Sequence, residues 1–584
     1  MRLFDKLVSL RARGEDALSQ ARTVGRVVVQ TGMHRSIRFS GLKGLLGEIP
    51  HGKADPALLF RFMAHNDPHR VGLIGLVAPH GSKPRGAGER GSHVSEERAF
   101  SFFEMNERVE RIASGLYERG ICAGDRVLIM VKNRADFVLL QIAVGRLGCS
   151  AVSVSYRSTP RELVYVAEHS HARAMFFDVD TAAVVREVYA ELKAIGQDRF
   201  FSVGGVVDPF QTLEGLVAMS KGTAPRSDEQ PAVVMYTSGT TGKPKGAVRR
   251  FQAGATASAL AFIGETPLQV GETHLAVCPL YHATAFGLIT ISYIVGSTVL
   301  VLRDFKPELF LEAIERYRVT TTALVPTMLH RIVELGEDVV RRYDTSSLKA
   351  IFTTGAPLSA PLALESMRLL GDKLFNFYGS TETGIVTLAK PADLRAAPGT
   401  IGKIVPGQTV RLFDESGRVV KQGEVGELYA SSGQLIEGYH NDEAGTRDAQ
   451  RDGFFSVGDL ARQDAAGYFF LEGRKRDMII SGGVNVYPAE VEHVVHEFPA
   501  VAEVAVVGVP DAEWGERVRA FVALKPGTSA TAEELSAFCR ARLSGPKVPR
   551  EFVFLEALPR NPTGKVLKRE LRKIDEPSSA NRVG

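Results

Sequence analysis

Segments with a strand pattern alternate with segments of helical pattern from Phe100 onward, and this alternation limits the possible folds most strongly. The first helix, predicted over Asn106–Gly120, is amphipathic and ends at a glycine. The segments that follow are DRVLIMV, ADFVLLQIAVGRLG, CSAVSVS, TPRELVYVAEHS and ARAMFFD, and later THLAVC, STVLVL, PELFLEAIERYRV, TTALVP and LKAIFTTG. Strands that alternate with helices predict an α/β fold with parallel sheets covered by helices on both faces.

The length of the chain and a change in pattern near residue 476 predict several domains. A chain of 584 residues is too long for one hydrophobic core. After GRKRDMIISGG the sequence mixes short strands with helices, in PAEVEHVVHEF, VAEVAVVGVP, RVRAFVALKP, TAEELSAFCRARL and REFVFLEALP, which predicts a small α+β domain. We therefore predict an N-terminal extension over residues 1–95, a large multi-subdomain domain over 96–475, a small domain over 476–573 and a tail over 574–584.

The predicted extension begins with a basic helical pattern. MRLFDKLVSLRARGEDALSQAR has apolar residues near helical spacing with arginines and a lysine between them. Such a helix either packs on the domain or contacts a membrane surface or a partner, and the sequence leaves these alternatives open. The polar, glycine-rich stretch Gly81–Arg98 predicts an exposed loop.

Composition and charge exclude several other classes of protein. A net charge of +4 on 63.4 kDa gives no reason to expect nucleic-acid binding. The four cysteines are scattered without metal-ligand spacing, which favours a reduced, cytoplasmic setting. Charges interrupt the first thirty residues, so no secretory signal is predicted. The apolar run Phe286–Leu302 contains Gly296 and a β-branched end, which predicts a buried helix followed by a buried strand.

A glycine-rich segment predicts contact with phosphate. YTSGTTGKPKG, Tyr236–Gly246, contains three glycines, four Ser or Thr hydroxyls and two lysines. Glycines let the backbone approach a ligand, and hydroxyls and lysines donate to phosphate oxygens. The segment differs from the G-x-x-x-x-G-K-[ST] loop because Pro244 follows Gly242-Lys243 where Ser or Thr is needed. By itself this segment could also be a flexible surface loop.

Five further motifs follow this segment along the chain. They are TTGAPLS, NFYGSTETG, FSVGDL, GRKRDMIISGGVNVYPAEVE and PRNPTGKVLKRELR. NFYGSTETG follows the predicted strand KLF and so is placed at a carboxyl strand end, where open α/β sheets bind ligands. Together and in this order, the motifs resemble those of the adenylate-forming superfamily of acyl-CoA synthetases, peptide-synthetase adenylation domains and luciferases. The resemblance extends from Phe100 to Lys573.

The resemblance implies roles for the motif residues in binding ATP. In the superfamily such residues hold the β and γ phosphates, lie along the nucleotide, contact the ribose hydroxyls or phosphate, and place Mg²⁺. The matching phosphate-loop residues are Thr237, Ser238, Gly239, Thr240, Thr241, Gly242 and Lys245. The other matching nucleotide contacts are Gly355, Ala356, Pro357, Tyr378 (adenine), Gly379, Ser380, Thr381 (phosphate), Asp459 (ribose), Arg474 and Lys565. Glu382 matches the Mg²⁺ ligand, and a carboxylate is the hard oxygen ligand that Mg²⁺ prefers.

The resemblance also implies an acyl pocket, a path for CoA and a hinge. His282, in PLYHATAFG, matches a position beside the substrate carboxylate, although a buried histidine with satisfied hydrogen bonds is the alternative. Small or apolar candidates for the pocket wall are Val325, Met328, Thr354 and Gly355. Ser481, Gly482 and Gly483 match the passage for the pantetheine arm of CoA, and Arg476 matches the hinge about which the small domain rotates.

The function that this resemblance implies is a two-step ligase reaction. A carboxylic acid, expected to be a medium- or long-chain fatty acid, reacts with ATP to give an acyl-adenylate and pyrophosphate, and the acyl group then passes to coenzyme A. Lys565 is expected to bridge the acid and the α-phosphate, with Glu382, Thr381 and His282 as the other catalytic candidates. Alternatives are an aryl-acid CoA ligase, an enzyme that loads a carrier protein, a luciferase-type oxidase and a catalytically silent binding protein.

Overall fold

A computed structural model shows a mixed α/β protein, with four β-sheets among the residues that it describes. The described residues are 23–41, 43, 57–78, 94–222, 224–227, 229–237, 245–250, 253–481, 484–511, 514–560 and 565–574. The basic helix predicted within residues 1–22, residues 81–93 of the predicted loop and residues 238–244 of the glycine-rich segment lie outside these ranges.

The first large sheet has nine strands within the described residues, and its six central strands are parallel. The outer pairings at both edges are antiparallel. In spatial order the strands are Lys403–Ile404, Gly384–Ala389, Leu374–Ser380, Ala350–Thr353, Thr321–Leu324, Thr273–Ala276, Thr298–Leu302, Val71–Val77 and Ser95–Ser101.

The second large sheet has eight strands in the described part of the chain, six of which are parallel to their neighbours. An antiparallel hairpin and a short strand form one edge. In spatial order the strands are Gly438–Tyr439, Lys245–Arg250, Ala232–Thr237, Ser150–Ser153, Arg126–Met130, Ala174–Asp178, Phe200–Val203 and Gln211–Thr212. The prediction of parallel sheets is therefore confirmed, with antiparallel edges added.

One hydrophobic core joins the two large sheets. It contains Val127 and Ile129 of the eight-stranded sheet, Val299 and Val301 of the nine-stranded sheet, and apolar residues of two helices. The helix Ala135–Arg146 is buried almost all round, since of its twelve residues Asp136 alone is not buried. A helix that is buried on every side needs neighbours on every side, and this core supplies them.

Several helices begin where the sequence provides a cap. Ser101, Thr159 and Thr531 each accept a hydrogen bond from the backbone N–H of a glutamate three residues later, and that glutamate side chain binds back to the cap. The described α-helices are residues 23–30, Met33–Ser36, residues 39–41, Leu58–Asn66, Phe102–Glu118, Ala135–Arg146, Pro160–Ser170, Ala182–Val188, Leu213–Met219, Ala253–Gly264, Ala283–Ile294, Pro307–Tyr317, Pro326–Val333, Glu337–Val340, Ala360–Leu370, Pro391–Ala396, Glu443–Ala449, Pro488–His496, Ala532–Arg540 and Lys568–Leu571.

The apolar run Phe286–Leu302 folds as predicted. The helix Ala283–Ile294 has most of its side chains buried, Gly296 turns the chain with φ +64°, and Thr298–Leu302 is a buried strand. Among the described helices, none has the length and hydropathy needed to cross a membrane.

Two smaller sheets of five strands follow in the chain, counted over the described residues. The first contains Thr409–Phe413, Gly426–Ser431, Gln450–Arg451, Phe454–Gln463 and Phe469–Arg474. The second contains Ile479–Ser481, Val484–Val486, Val501–Asp511, Gly515–Leu524 and Glu551–Phe554. The helices Pro488–His496 and Ala532–Arg540 share the hydrophobic core of the second sheet, which forms a small α+β unit. The 3₁₀ turn Lys475–Asp477 joins the two sheets.

Four local predictions differ from the structure. Within the predicted extension, Val71–Val77 is an integral strand of the nine-stranded sheet. Ser95–Ser101 pairs with it, so the predicted loop does not reach Arg98. The strand predicted as KLF is longer, because it continues through the first five residues of NFYGSTETG to Ser380. The helix predicted from Val566 begins at Lys568, since Val566 forms a β-bridge with Arg560.

Candidate active site

The hairpin formed by Leu374–Ser380 and Gly384–Ala389 presents Thr381 and Glu382 at its tip. The two strands approach so closely that a Cβ on Gly379 would lie 2.0 Å from the carbonyl oxygen of Gly384. Glycine is therefore required at position 379, and this steric need accounts for one glycine of the motif.

The side chain of Ser380 shapes the tip of this hairpin. Its hydroxyl accepts hydrogen bonds of 3.1 Å from the backbone N–H groups of Glu382 and Thr383. Such a side chain-to-backbone turn fixes the direction of the residues that follow. The hydroxyl of Ser380, which was predicted to contact the nucleotide, thus takes part in hydrogen bonds within the hairpin tip. Glu382 is buried next to it.

Tyr378, Asp459 and Arg474 form one network. The phenol of Tyr378 donates a hydrogen bond of 2.8 Å to Asp459 Oδ2. Arg474 Nε lies 3.0 Å from Asp459 Oδ1, because the two residues face each other on adjacent antiparallel strands. Burial and the Asp459 charge raise the pKa of Tyr378 well above its usual value. The structure therefore brings together three residues that the sequence placed around the adenine and the ribose.

Lys565 reaches this network from the C-terminal part of the chain. The residue is accessible to solvent, although protein atoms surround much of its ammonium group. Burial lowers the pKa of Lys565, and the neighbouring charge of Arg474 lowers it further, whereas Asp459 and Glu382 oppose the shift. A lysine from the small unit thus acts electrostatically on residues of two other sheets.

His282 lies close to Lys565 at the start of the helix Ala283–Ile294. Its Nε2 atom is buried, with no hydrogen-bond partner among the described residues. Burial and the charge of Lys565 lower the pKa of His282 to about 4, so the imidazole is neutral near pH 7. The alternative prediction of a satisfied core histidine does not describe this side chain, because one ring nitrogen remains available to a ligand.

Asn133 positions the segment that carries His282. Its amide donates hydrogen bonds of 3.2 and 3.1 Å to the carbonyl oxygens of Val277 and Cys278, and its Oδ1 accepts from Leu280 N at 3.0 Å. Asn133 follows a strand of the eight-stranded sheet, whereas Val277 and Cys278 follow a strand of the other large sheet. The contact therefore fixes the approach of the two sheets beside His282.

The predicted residues of the acyl pocket come directly after two neighbouring parallel strands. Val325 follows Thr321–Leu324, and Thr354 and Gly355 follow Ala350–Thr353. Gly355 has φ +86°, and a Cβ there would lie 3.6 Å from Val325 Cγ1. The predicted residues that complete this region are Ala356, Pro357 and, on the helix after Val325, Met328. None of these six side chains carries a charge, which suits an apolar ligand.

The glycine-rich segment emerges from a hairpin of two strands. Tyr236 pairs with Gly246 and Thr237 pairs with Lys245, so the ends of the segment are strand residues and not loop. The predicted contacts Ser238, Gly239, Thr240, Thr241 and Gly242 lie outside the described residues, as does the side chain of Thr237. The Lys245 ammonium lies 2.8 Å from Asp442 Oδ2 and 4.7 Å from the centre of the Tyr439 ring.

The predicted hinge and the predicted CoA passage are near the join of the two smaller sheets. Arg476 lies in the turn Lys475–Asp477, beside a cavity of about 260 Å³ lined by Val457, Gly458, Arg474, Lys475 and Arg476. Ser481 is buried and pairs with Val484 and Gly515. Gly482 and Gly483 lie outside the described residues.

Glu382 can serve as a Mg²⁺ ligand, although no protein cage surrounds it. Among the residues that the structure describes, no group of three or more His, Cys, Asp or Glu side chains could hold a metal. Magnesium commonly binds through one or two carboxylates, with substrate phosphates and water as the other ligands. The donor set at the hairpin tip therefore fits Mg²⁺ that arrives with a nucleotide.

Three residues near the site were missed by the sequence motifs. Tyr439 donates a hydrogen bond of 3.1 Å to Glu382 Oε1, Asp442 pairs with Lys245, and Arg249 donates to the carbonyl of Thr381. Arg249 follows the glycine-rich segment by only three positions. A charged residue within a predicted strand so close to this segment could have indicated a role in the site. Tyr439 and Asp442 are distant in sequence and carried no such signal.

Comparisons with known proteins bear on the family and the fold of the chain. A family model described as AMP-binding enzyme matches residues 83–440, and one described as AMP-binding enzyme C-terminal domain matches residues 490–565. The chain is 34% identical over 488 residues to a feruloyl-CoA synthase of Amycolatopsis sp, with 81% of this chain and 94% of the relative covered. It is 31% identical over 502 residues to the fatty acid–[acyl-carrier-protein] ligase ScoC of Streptomyces coeruleorubidus, with coverage of 84% and 94%.

A solved structure shows the same fold. The o-succinylbenzoate CoA synthetase MenE of Bacillus subtilis, in complex with its acyl-adenylate intermediate, superposes with a TM-score of 0.75 at 27% identity, covering 89% of this chain and 98% of the other. The matches confirm the predicted fold class, the predicted co-substrates ATP and CoA, and the predicted use of Mg²⁺. The chain belongs to the AMP-binding enzyme family, and it is an acid-thiol ligase of the adenylate-forming superfamily.

Proposed function

We propose that this enzyme activates a monocarboxylic acid with an apolar body and transfers it to coenzyme A. In the first step an oxygen of the carboxylate bonds to the α-phosphorus of ATP, and the bond to pyrophosphate breaks. In the second step the CoA sulfur bonds to the acyl carbon, AMP leaves, and the thiol proton is released. The observation that carries the proposal is the convergence of Lys565, Glu382 and the Asp459–Arg474 pair at one place.

The residues of this site suit the first step. Two anions, the acid and the α-phosphate, must approach each other, and Lys565 and Arg474 supply fixed positive charge at that position. Mg²⁺ held at Glu382 would neutralise charge on the phosphate oxygens. We assign Asp459 to the ribose hydroxyls, because a carboxylate that is held by Tyr378 and Arg474 is a preorganised acceptor.

We assign His282 to a position beside the acid. Its neutral imidazole has an available buried nitrogen, which can donate to a carboxylate oxygen. The proposed pocket wall of Val325, Met328, Thr354 and Gly355 has no charge to pair with a second carboxylate or an amine. An acid with one carboxylate and an apolar remainder therefore fits the site.

Two classes of acid meet this requirement, a fatty acid and an aryl acid. The sequence favoured a medium- or long-chain fatty acid. The relatives of the chain include both a feruloyl-CoA synthase and a fatty acid ligase, so we give the two classes of acid equal standing. The acceptor also has an alternative, since the second of these relatives is named for a carrier protein.

One experiment separates these alternatives. A panel of fatty acids of increasing chain length and of aryl acids is incubated with enzyme, ATP and Mg²⁺, and pyrophosphate is measured. The acids that respond are then tested for AMP release with CoA or with a phosphopantetheinylated carrier protein. We expect a monocarboxylic acid and CoA to be preferred. Pyrophosphate release with no acid of either class, or AMP release that depends on the carrier protein alone, would contradict the proposal.

We also propose that the N-terminal part of the chain contacts anionic membranes, which would bring the enzyme to poorly soluble acids. Residues 1–47 contain nine arginines and lysines and three acids, a net charge of +6, whereas the whole chain has +4. Within the described part of this region, Phe39 and Val29 are 82% and 67% exposed. Apolar side chains among basic residues are typical of segments that bind anionic lipid surfaces. The cytoplasmic location predicted from the cysteines is compatible with such contact.

Co-sedimentation with vesicles tests this contact. Vesicles of phosphatidylcholine with phosphatidylserine should retain the full chain at low salt, and the variant Val29→Ser with Phe39→Ser should bind less. Val206→Ser is the matched control, because Val206 is 76% exposed at a site remote in sequence. Activity on a short soluble acid should be equal in all three proteins. If the full chain does not bind these vesicles, the proposed contact is wrong.

A further inference from the structure

The carbonyl groups at the hairpin tip are held from outside the hairpin. Ser432 Oγ donates a hydrogen bond of 2.7 Å to the carbonyl oxygen of Thr383, and Ile436 N donates one of 2.9 Å to that of Glu382. The carbonyl oxygen of Thr381 accepts from the guanidinium of Arg249. Three consecutive carbonyls are therefore fixed, and one of the three donors is a charged side chain.

Arg249 comes from the strand that leaves the glycine-rich segment. This strand, Lys245–Arg250, pairs with Ala232–Thr237, so the two strands flank residues 238–244 on both sides. The hydrogen bond from Arg249 thus joins the hairpin that carries the predicted phosphate loop to the hairpin that carries Glu382. These two hairpins belong to different large sheets.

The guanidinium of Arg249 is enclosed and only partly paired. Its Nε atom is buried, with no hydrogen-bond partner in the described ranges of the chain. Burial lowers the pKa of Arg249 to about 10, while the charge of Glu382 opposes this shift. A buried cation with an unsatisfied donor is costly, so its presence here calls for a reason beyond packing.

Resting on the proposed function, we infer that Arg249 is a positioning residue that fixes the Glu382 carboxylate for Mg²⁺ and links it to the hairpin of Ala232–Thr237 and Lys245–Arg250. Groups that orient a metal ligand are worth roughly 10- to 100-fold in metal affinity or activity. Tyr439 already fixes Oε1 of Glu382 through its side chain. Arg249 acts on the backbone of the preceding residue, so the two contacts restrain different parts of the same ligand.

The positioning role and a purely electrostatic role have opposite consequences for Mg²⁺. If Arg249 acted only through its charge, removing it would leave Glu382 more negative and strengthen Mg²⁺ binding. If Arg249 positions the hairpin tip, removing it weakens the Mg²⁺-dependent binding of nucleotide. The direction of the change therefore separates the two accounts.

The test measures nucleotide binding and does not need turnover. Calorimetric binding of a non-hydrolysable ATP analogue is followed as a function of Mg²⁺ concentration. In Arg249→Met we expect the Mg²⁺ concentration for half-maximal effect to rise roughly 10- to 100-fold. Arg249→Lys keeps the charge without the planar guanidinium and should give a smaller rise. If Arg249→Met does not fold, Arg249→Lys carries the test by itself.

Arg250→Met is the matched control. Arg250 is the next residue on the same strand, and its guanidinium pairs with Glu437 at 2.9 Å. Its Mg²⁺ dependence should equal that of the wild type. Unchanged or tighter Mg²⁺ dependence in a folded Arg249→Met variant would overturn the positioning role alone. A wild-type protein whose nucleotide binding ignores Mg²⁺ would overturn the proposed function as well.

Discussion

Asp459 and Arg474 face each other on adjacent strands, with Arg474 Nε 3.0 Å from Asp459 Oδ1. The second oxygen of Asp459 accepts a hydrogen bond from Tyr378, so both carboxylate oxygens are held. An acceptor fixed in this manner loses little freedom when a sugar hydroxyl approaches. The pair therefore connects the fold of a small sheet to the proposed ribose contact.

Asp459→Asn should weaken ATP binding. The change removes the negative charge that pairs with Arg474 and leaves the half-buried guanidinium of Arg474 poorly compensated, at a cost of about 1–3 kcal/mol. We expect the KM for ATP to rise at least about tenfold. Arg462→Gln is the control, since the Arg462–Glu472 pair joins the same two strands at 2.7 Å. An unchanged KM for ATP in Asp459→Asn would count against the ribose assignment.

Gly379→Ala should disrupt the hairpin that carries Glu382. A Cβ at this position would meet the Gly384 carbonyl oxygen at 2.0 Å, and backbone cannot move aside as a flexible side chain can. Overpacking of this kind costs about 1–3 kcal/mol or more. Chemical denaturation should show the loss, whereas Gly545→Ala, where a Cβ meets nothing within 4 Å, should be nearly neutral. Equal stability of the two variants would contradict the close approach of the strands.

Arg476→Pro should affect the second half-reaction more than the first. Arg476 lies in the turn between the two smaller sheets, and proline fixes φ and removes a backbone donor there. We expect acyl-adenylate to form while thioester formation falls. Arg476→Ala removes the same side chain but leaves the backbone free, so it should retain both steps. Comparable losses in both half-reactions of Arg476→Pro would argue against a hinge at this residue.

The sequence predicted those parts of the fold in which the periodicity of apolar residues within a segment matches the burial of that segment in the structure. The alternation of strands and helices after Phe100 was sufficient for the parallel centres of the large sheets. The pattern did not predict Ser95–Ser101 as a strand, because this edge strand is mostly polar and shows no apolar alternation. Its pairing partner, Val71–Val77, lies within the region that the sequence predicted as an N-terminal extension. Edge pairing is a non-local contact, which periodicity within a segment does not reveal.

The residues of the site that belong to sequence motifs could be predicted, and the residues outside the motifs could not. Tyr378, Asp459, Arg474 and Lys565 were predicted from motifs, and the structure places them together. Arg249 was not predicted, since its importance comes from a contact with Thr381, which is 132 residues away in sequence. The proposed role of Arg249 depends on how the two large sheets pack against each other, and no single sequence motif contains this information.

The stability of the protein should fall at acid pH partly through His282. Its folded-state pKa is about 4, whereas an unfolded histidine titrates near 6.5. Between these values the unfolded chain binds more protons, so this stabilisation is complete above about pH 6.5 and is lost as pH falls to about 4. The loss is on the order of 3 kcal/mol.

His282→Phe should remove this part of the pH dependence. The free energy of unfolding at pH 7 and pH 4.5 should differ less in the variant than in the wild type. His493→Gln is the control, because His493 is an exposed histidine whose removal should leave the acid sensitivity intact. A full wild-type response to acid in His282→Phe would show that His282 is not held neutral by the fold.

The most direct test of the proposed mechanism is a pair of single-turnover measurements on Lys565→Ala. Lys565 lies near Glu382, Asp459 and Arg474, where its ammonium can offset repulsion between the acid and the α-phosphate. Removing one preorganised donor of this kind typically costs about 3–4 kcal/mol, or roughly 10²–10³ in rate.

Pyrophosphate release from acid and ATP should therefore nearly disappear in Lys565→Ala. Given synthetic acyl-adenylate and CoA, the same variant should form thioester at close to the wild-type rate, with an unchanged Tm. Comparable losses in both measurements would contradict the assignment of Lys565 to the first half-reaction and leave it as a general phosphate contact.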